Sequence, residues 1–402
     1  MTSTVNPARF APSPELREDL RRIFGPALGI GVILSGACII GGFISPGDFF
    51  YSYLMSFLFW FGITLGSMAI VMLQYLTSGA WGIMVRRPLE SASRTLWLCA
   101  LLFIPIAAGA PKIYDWAHPD LVRNEYALAH RQPYMSLSWF VLRAIAYFII
   151  WGLLAYFLNR WSREQDLQPG LENVIETRLA RLSAPGLILY VFTLTFAAVD
   201  WAASLETDWS STIWGFIFVA QQVLSVFAFA ILVLVLLSRR RPMAGAFKTQ
   251  HMHDLGNLMF TCLMLWAYFE FSQLVIVWAG NLTDEIPWYM RRLATSWGWL
   301  GVALIVLQFI IPFLALLSRP LKRSIPALCT VVGLIIVMRW VDLAWVVLPS
   351  YYHKGLRVTW LMICVPLAMG CLWVAAFVWH LKNRPLLPVN APNLERALHH
   401  GE

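Results

Sequence analysis

Residues 212–237 read TIWGFIFVAQQVLSVFAFAILVLVLL, a run without a charged side chain. A helix needs about 20 apolar residues to cross the hydrocarbon core of a bilayer, so this stretch is long enough to span one. Its polar members Gln221, Gln222 and Ser225 are of the kind that hydrogen-bond between helices inside lipid. Nine further segments share its character. The pattern predicts ten spans, at roughly 26–46, 51–76, 92–110, 134–158, 184–204, 212–237, 254–279, 295–317, 324–347 and 358–381. The connections are short and punctuated by Pro and Gly, as at Pro46-Gly47, Pro111, Pro242, Pro320 and Pro349. The expected class is an all-α polytopic membrane protein.

Composition agrees. The 402 residues are 59% hydrophobic, 14% aromatic and 13% charged, with a mean hydropathy of +0.65. Soluble domains run at about 45–50% apolar and about 25% charged, so most of this chain must be solvated by lipid. Disorder, a disulfide scaffold and a soluble enzyme are excluded. Cys38, Cys99, Cys262, Cys329, Cys364 and Cys371 all fall inside apolar runs with no CxxC pair, which marks them as small core residues. His118, His130, His251, His253, His353, His399 and His400 read as loop or tail residues and His380 ends the last span, so no deep histidine pair is offered to a haem. No P-loop, HExxH or GxSxG occurs, and no connection exceeds about 25 residues, which leaves no room for a nucleotide-binding or hydrolase domain.

The charges fix an orientation. Of the 30 Lys and Arg residues, 21 lie on the side expected to hold both termini and 7 on the other, with Arg143 and Arg339 inside spans. By the positive-inside rule both termini are cytoplasmic and segment 111–133 faces outward. Residues 1–25 are expected outside the membrane. Charges precede the first apolar run with no signal-peptide pattern, Ser13-Pro14 reads as N-cap and first helical position, and Leu16, Leu20, Ile23 and Phe24 form the apolar face of a short helix on the membrane surface. The transmembrane domain would then cover 26–382 and a cytoplasmic tail 383–402.

A faint internal repeat is visible. Span 5 opens Ser183-Ala184-Pro185 and reaches Asp200, while span 9 opens Ser324-Ile325-Pro326 and reaches Asp342; the Pro-to-Asp separations are 15 and 16. Four helices return a chain to the same side, so spans 2–5 (51–204) and 6–9 (212–347) would be parallel repeats.

Asp200, Glu270 and Asp342 are the acids that no loop can claim, and an intramembrane ionisable residue is a functional candidate by default. At about 1.5 Å per residue all three sit about 24–27 Å from the cytoplasmic edge. Arg143 reaches about 13–14 Å down span 4 from the outer side, toward the same level. Arg339 and Asp342 are three apart on one face and can pair, which would hold Asp342 charged. Asp200 could also be a carboxylate at the outer water interface. Glu270 shares a face with Trp266 and Gln273 and needs a partner from another helix, which makes Asp200 and Glu270 the proton-carrying candidates. A proton could enter at His251, His253 and Asp254 and follow Asn257, Thr261, Tyr268 and Ser272 inward, unless Asp254 merely caps the helix. Ser136, Trp139, Arg143 and Tyr147 form a second polar stripe, and Gly62 with Gly66 imply a close helix contact.

Two stretches go beyond generic membrane chemistry. Trp266-Ala267-Tyr268-Phe269-Glu270-Phe271-Ser272-Gln273, the following Trp278-Ala279-Gly280-Asn281-Leu282 and Glu285-Ile286-Pro287-Trp288-Tyr289, and the preceding His253-Asp254-Leu255-Gly256-Asn257 resemble the seventh-helix region of the NrfD-like, or polysulfide-reductase-type, membrane subunits. Within that family the resemblance is to the F subunits of bacterial alternative complex III, a quinol:electron acceptor oxidoreductase. Tyr134 to Arg143 looks like the start of their fourth helix, and the likeness covers essentially the whole chain.

That resemblance implies two four-helix bundles flanked by two further helices in a bacterial inner membrane. It implies partners that carry the redox centres: a periplasmic iron–sulfur subunit, c-type cytochromes supplying haem c, a homologous membrane C subunit and, in some assemblies, a terminal oxidase. The chain itself would bind no haem, cluster or metal, and whether it binds a quinone stays open. It would contribute a proton half-channel, with Asp200, Glu270, Asp342, Arg143, Arg339, His253 and Asp254 as the proton-transfer candidates. A proton-coupled secondary transporter and an inert structural anchor are the competing readings of the same acids.

Overall fold

The computed structural model describes residues 10–118, 122, 133–281, 283 and 285–399. Arg9, Arg123 and Arg131 from the charge count, His130 and His400, and Leu282 lie outside the described residues. The regular structure among the described residues is helical, with no strand. Ten helices are long and apolar enough to cross a membrane: Pro14–Ile44, Pro46–Thr77, Ala80–Ala108, Leu137–Leu167, Glu172–Leu205, Trp214–Leu237, Thr249–Gly280, Gly298–Leu317, Ile325–Ser350 and Leu361–Leu381, here spans 1 to 10.

Span 2 is the hub. Its most apolar stretch is 94% buried, against 17% for span 1, and it touches spans 3, 5, 6, 9 and 10. Close approach to span 6 requires glycine. A Cβ on Gly66 would stand 2.8 Å from Val226 Cγ2 and 3.2 Å from the Gln222 carbonyl oxygen, so the Gly62/Gly66 contact expected from sequence is present. Gln222 also accepts a hydrogen bond from the Tyr190 hydroxyl at 3.0 Å, tying span 5 to span 6. Spans 2, 3, 4 and 5 contact one another in a ring, as do spans 6, 7, 8 and 9, and spans 1 and 10 pair with each other against span 2. Span 8 carries π-helical turns over Leu304–Ile310, just before Pro312.

Two local expectations are corrected. Ser13 does cap the first helix, its Oγ accepting from the Leu16 amide at 3.2 Å with Pro14 next. That helix is not a separate surface element, however, but runs unbroken through Pro26 to Ile44. The good helix formers of 15–22 feed directly into the apolar run, and Pro26, one residue, does not stop it. Span 3 begins earlier than 92. It is built from Ala80–Ser93 and Leu96–Ala108 around a turn at Arg94 and Thr95, and 82–93 are buried on every face, where a charged loop was expected. The segment after 382 packs against the rest of the chain: Leu386, Leu387, Val389, Leu394 and Ala397 are buried, and the Leu386 amide donates to the Phe10 carbonyl at 3.1 Å. Both ends of the described chain therefore lie at one end of the molecule.

Candidate functional site

Spans 4 and 5 bring together the first cluster. Arg143 and Tyr147 are four apart and share a face of span 4. Arg143 Nε and Nη2 donate to the two carboxylate oxygens of Asp200 at 2.9 and 2.8 Å, and the Tyr147 hydroxyl adds a third bond at 3.0 Å. Arg143 Nη1 donates to the Tyr134 carbonyl at 2.9 Å, and its guanidinium lies over the Tyr134 ring. Asp200 is 2% exposed. It is buried and paired with Arg143, so the reading of it as a carboxylate at the outer water interface is corrected. A forked guanidinium matches a carboxylate in this bidentate way, and the charges balance.

The second cluster joins spans 6, 7 and 9. Arg339 Nη1 donates to Asp342 Oδ2 at 2.5 Å, the pairing the three-residue spacing predicts. Gln221 Nε2 donates to the same Asp342 oxygen at 2.7 Å and to Glu270 Oε1 at 3.3 Å. The two hydrogens of one amide thus bridge two carboxylates. Asp342 is 2% exposed and Glu270 partly buried. Glu270 therefore has the partner from another helix that it needs, but that partner is neutral. Two carboxylates share one guanidinium here. The neighbouring Gln273 accepts from the Ser211 hydroxyl at 2.6 Å. Gln221 Oε1 and Gln273 Nε2 are buried without a hydrogen-bond partner among the described residues, a concentration of unspent polar atoms around Glu270.

The proposed entrance on span 7 is built differently from expectation. The helix starts at Thr249, with Lys248 as its N-cap residue, so Asp254 is not a cap and His251 and His253 are helical and not loop residues. His251 is buried and fixed, its Nδ1 accepting from the Lys248 amide at 3.1 Å and its Nε2 lying 2.9 Å from the Ala397 carbonyl. His253 Nδ1 stands 3.3 Å from Asn257 Nδ2 and 3.7 Å from Asp254 Oδ1. Lys322 Nζ donates to Asn257 Oδ1 at 2.6 Å, and burial followed by the nearby Arg319 push the Lys322 ammonium pKa down.

From this mouth no polar line continues inward on span 7. Thr261 is exposed and Tyr268 is 64% exposed, whereas the inward face carries Met259, Leu263 and Trp266. At about 100° per residue Asn257, Thr261, Tyr268 and Ser272 all lie about 140–180° around the helix from Glu270, so they occupy the opposite face along its whole length. The structure brings His253 together with Asp254, Arg143 with Asp200, and Glu270 with Asp342 and Arg339, but it does not join the first pair to the last three along this helix.

Two charged clusters were missed. At the end holding both termini, Glu90 receives Arg86 Nε at 3.1 Å, Arg87 Nη1 at 2.6 Å, the Ser162 hydroxyl at 2.6 Å and the Tyr75 hydroxyl at 3.2 Å. Arg87 also pairs with Asp166, Arg86 with Glu176 at 3.5 Å, and Arg384 reaches Glu90 at 3.5 Å. Arg86 and Arg87 are 0% and 1% exposed. Three arginines face three carboxylates. The signal was present in Arg86-Arg87-Pro88-Leu89-Glu90, whose three- and four-residue spacings pair one acid with two arginines.

At the opposite end Arg292, fully buried, donates to Glu206 at 2.9 Å and to the carbonyls of Trp288, Trp345 and Val346 at 2.9–3.0 Å. Burial lowers the Arg292 pKa to about 10, against the opposing pull of Glu206. This clamp ties the connection after span 5 to the end of span 9, one turn beyond Asp342.

The six cysteines are free. Among the described residues no three His, Cys, Asp or Glu side chains gather in a way that could hold a metal ion. Compared with known protein families the chain matches no family model, and no curated protein matches it significantly.

Proposed function

We propose that this chain is a membrane subunit of a respiratory quinol:electron acceptor oxidoreductase of the alternative complex III type, and that its second bundle carries the proton-handling site. The family part of this reading rests on the resemblance of residues 253–289 and 134–143. The site part rests on one observation: the Gln221 amide bridges Glu270 and Asp342, while Arg339 bonds to Asp342.

A buried carboxylate without a counter-charge costs several kcal/mol. A cluster with one carboxylate too many is relieved when a proton arrives and strained when it leaves. Gln221 can hold either state, because its amide donates to a carboxylate and its own free oxygen can accept from a carboxylic acid. Arg339 keeps Asp342 in place, so Glu270 is the group that gains and loses the proton. Asp200, fully matched by Arg143, holds spans 4 and 5 together and is not a carrier. His253 and Asp254 belong to a surface-side cluster with Lys322 and Asn257, and their part in proton delivery would need a route through other helices than span 7.

Extraction in mild detergent tests the family reading. The chain should come away with partners that show haem c and iron–sulfur signals, and the assembly should oxidise quinol. Isolation as a stable monomer, together with unchanged quinol-dependent electron transfer in cells lacking the chain, would refute it.

A further inference from the structure

At the end that holds both termini, a cavity of about 650 Å³ lies between spans 3, 4 and 10. Its body is apolar, with Leu96, Ala100 and Phe148 among its walls, and a Cβ on Gly152 would meet nothing within 4 Å. Its rim is cationic. Arg94, Arg163 and Arg384 line both this cavity and an adjoining one of about 410 Å³, and Arg160 lines the first.

The cations are not equivalent. Arg384 is engaged with the Asn159 carbonyl at 3.0 Å and with Glu90, and Asp166, the acid of the adjoining cavity, is taken by Arg87. Arg94 and Arg163 form no ion pair with a carboxylate among the described residues, although they line the same space. Like charges gathered without a counter-charge are unfavourable unless an anion joins them. Trp97 and Tyr156, 49% and 54% exposed, flank the cavity. Trp and Tyr are enriched at headgroup level on membrane helices. Together with the arginines they suit the rim to lipid phosphates, and the open floor at Gly152 suits an acyl chain.

We infer that this groove binds one anionic phospholipid from the leaflet on the side of the termini. Its phosphate lies between Arg94 and Arg163, and one acyl chain runs over Ala100 and Gly152. Basic pockets between transmembrane helices are suited to such headgroups, and a soluble phosphate would make no use of the apolar floor. The site is independent of any redox role.

The test uses the chain with whatever partners it retains, incubated in mixed micelles of phosphatidylglycerol and phosphatidylcholine and read by native mass spectrometry. Phosphatidylglycerol should be retained in preference to phosphatidylcholine. The double variant R94Q/R163Q should lower its occupancy about tenfold or more. Gly152→Phe, which projects into open space, should lower it without shifting thermal unfolding. Equal retention of the two lipids by the unaltered protein would overturn the inference, as would undiminished phosphatidylglycerol in R94Q/R163Q. If that double variant does not fold, unchanged retention in Gly152→Phe overturns it alone.

Discussion

The two bundles hold their buried charges in opposite ways. In the first, Arg143 comes from span 4 and closes on Asp200 of span 5 through two bonds, with Tyr147 as a third donor. In the second, Arg339 spends itself on Asp342 of its own helix, and Glu270 of span 7 receives the neutral amide of Gln221. One cluster is neutral as built, and the other is neutral only with a proton. The same contrast separates the second cluster from the Arg86, Arg87 and Arg384 network, where three arginines meet Glu90, Asp166 and Glu176. On the proposed function, charge count within bonding reach, and not depth along a span, is what separates a proton carrier from a structural ion pair.

The largest effect should come from unbalancing the most buried network. Glu90→Gln would leave two fully buried guanidiniums facing too few carboxylates, and breaking a buried pair costs about 3–5 kcal/mol. The assembled, detergent-stable fraction should collapse; a melting curve like that of the unaltered protein would show that balance is not what stabilises this end. Asp200→Asn should act in the same direction but less, toward the lower end of about 3–5 kcal/mol, because the Arg143 side chain keeps 19% exposure. A lowered unfolding midpoint with electron transfer intact in the surviving fraction is the expected result, and an unchanged midpoint would break the structural reading of Asp200. At the small end, Thr261→Val and Tyr268→Phe remove hydroxyls from the outward face of span 7. Neither should change proton uptake by the assembled complex, and loss in either would restore the span 7 route.

Much of this was readable beforehand, for physical reasons that also mark the limit. The spans follow from run length against bilayer thickness, and the Arg339–Asp342 pair and the Gly62/Gly66 contact follow from helical spacing. Arg143 and Asp200 are 57 residues apart and meet only because spans 4 and 5 pack. Gln221 looks like any interhelical amide until two carboxylates converge on it. Residues 80–93 have the composition of a charged loop, and only the network that neutralises Arg86 and Arg87 lets them be buried. The misplaced stripe is a different case. Its four residues lie about 140–180° around the helix from Glu270, so their place on the opposite face is contained in the helical period itself.

On the proposed function Glu270 carries the proton and Asp200 does not. Quinol-driven proton uptake per electron in liposomes, measured for Glu270→Gln and Asp200→Asn side by side in complexes that still transfer electrons, tests it most directly. Glu270→Gln should abolish uptake, while Asp200→Asn, in the fraction that assembles, should retain it. Normal uptake in Glu270→Gln, or loss of uptake in an assembled Asp200→Asn complex, would contradict it.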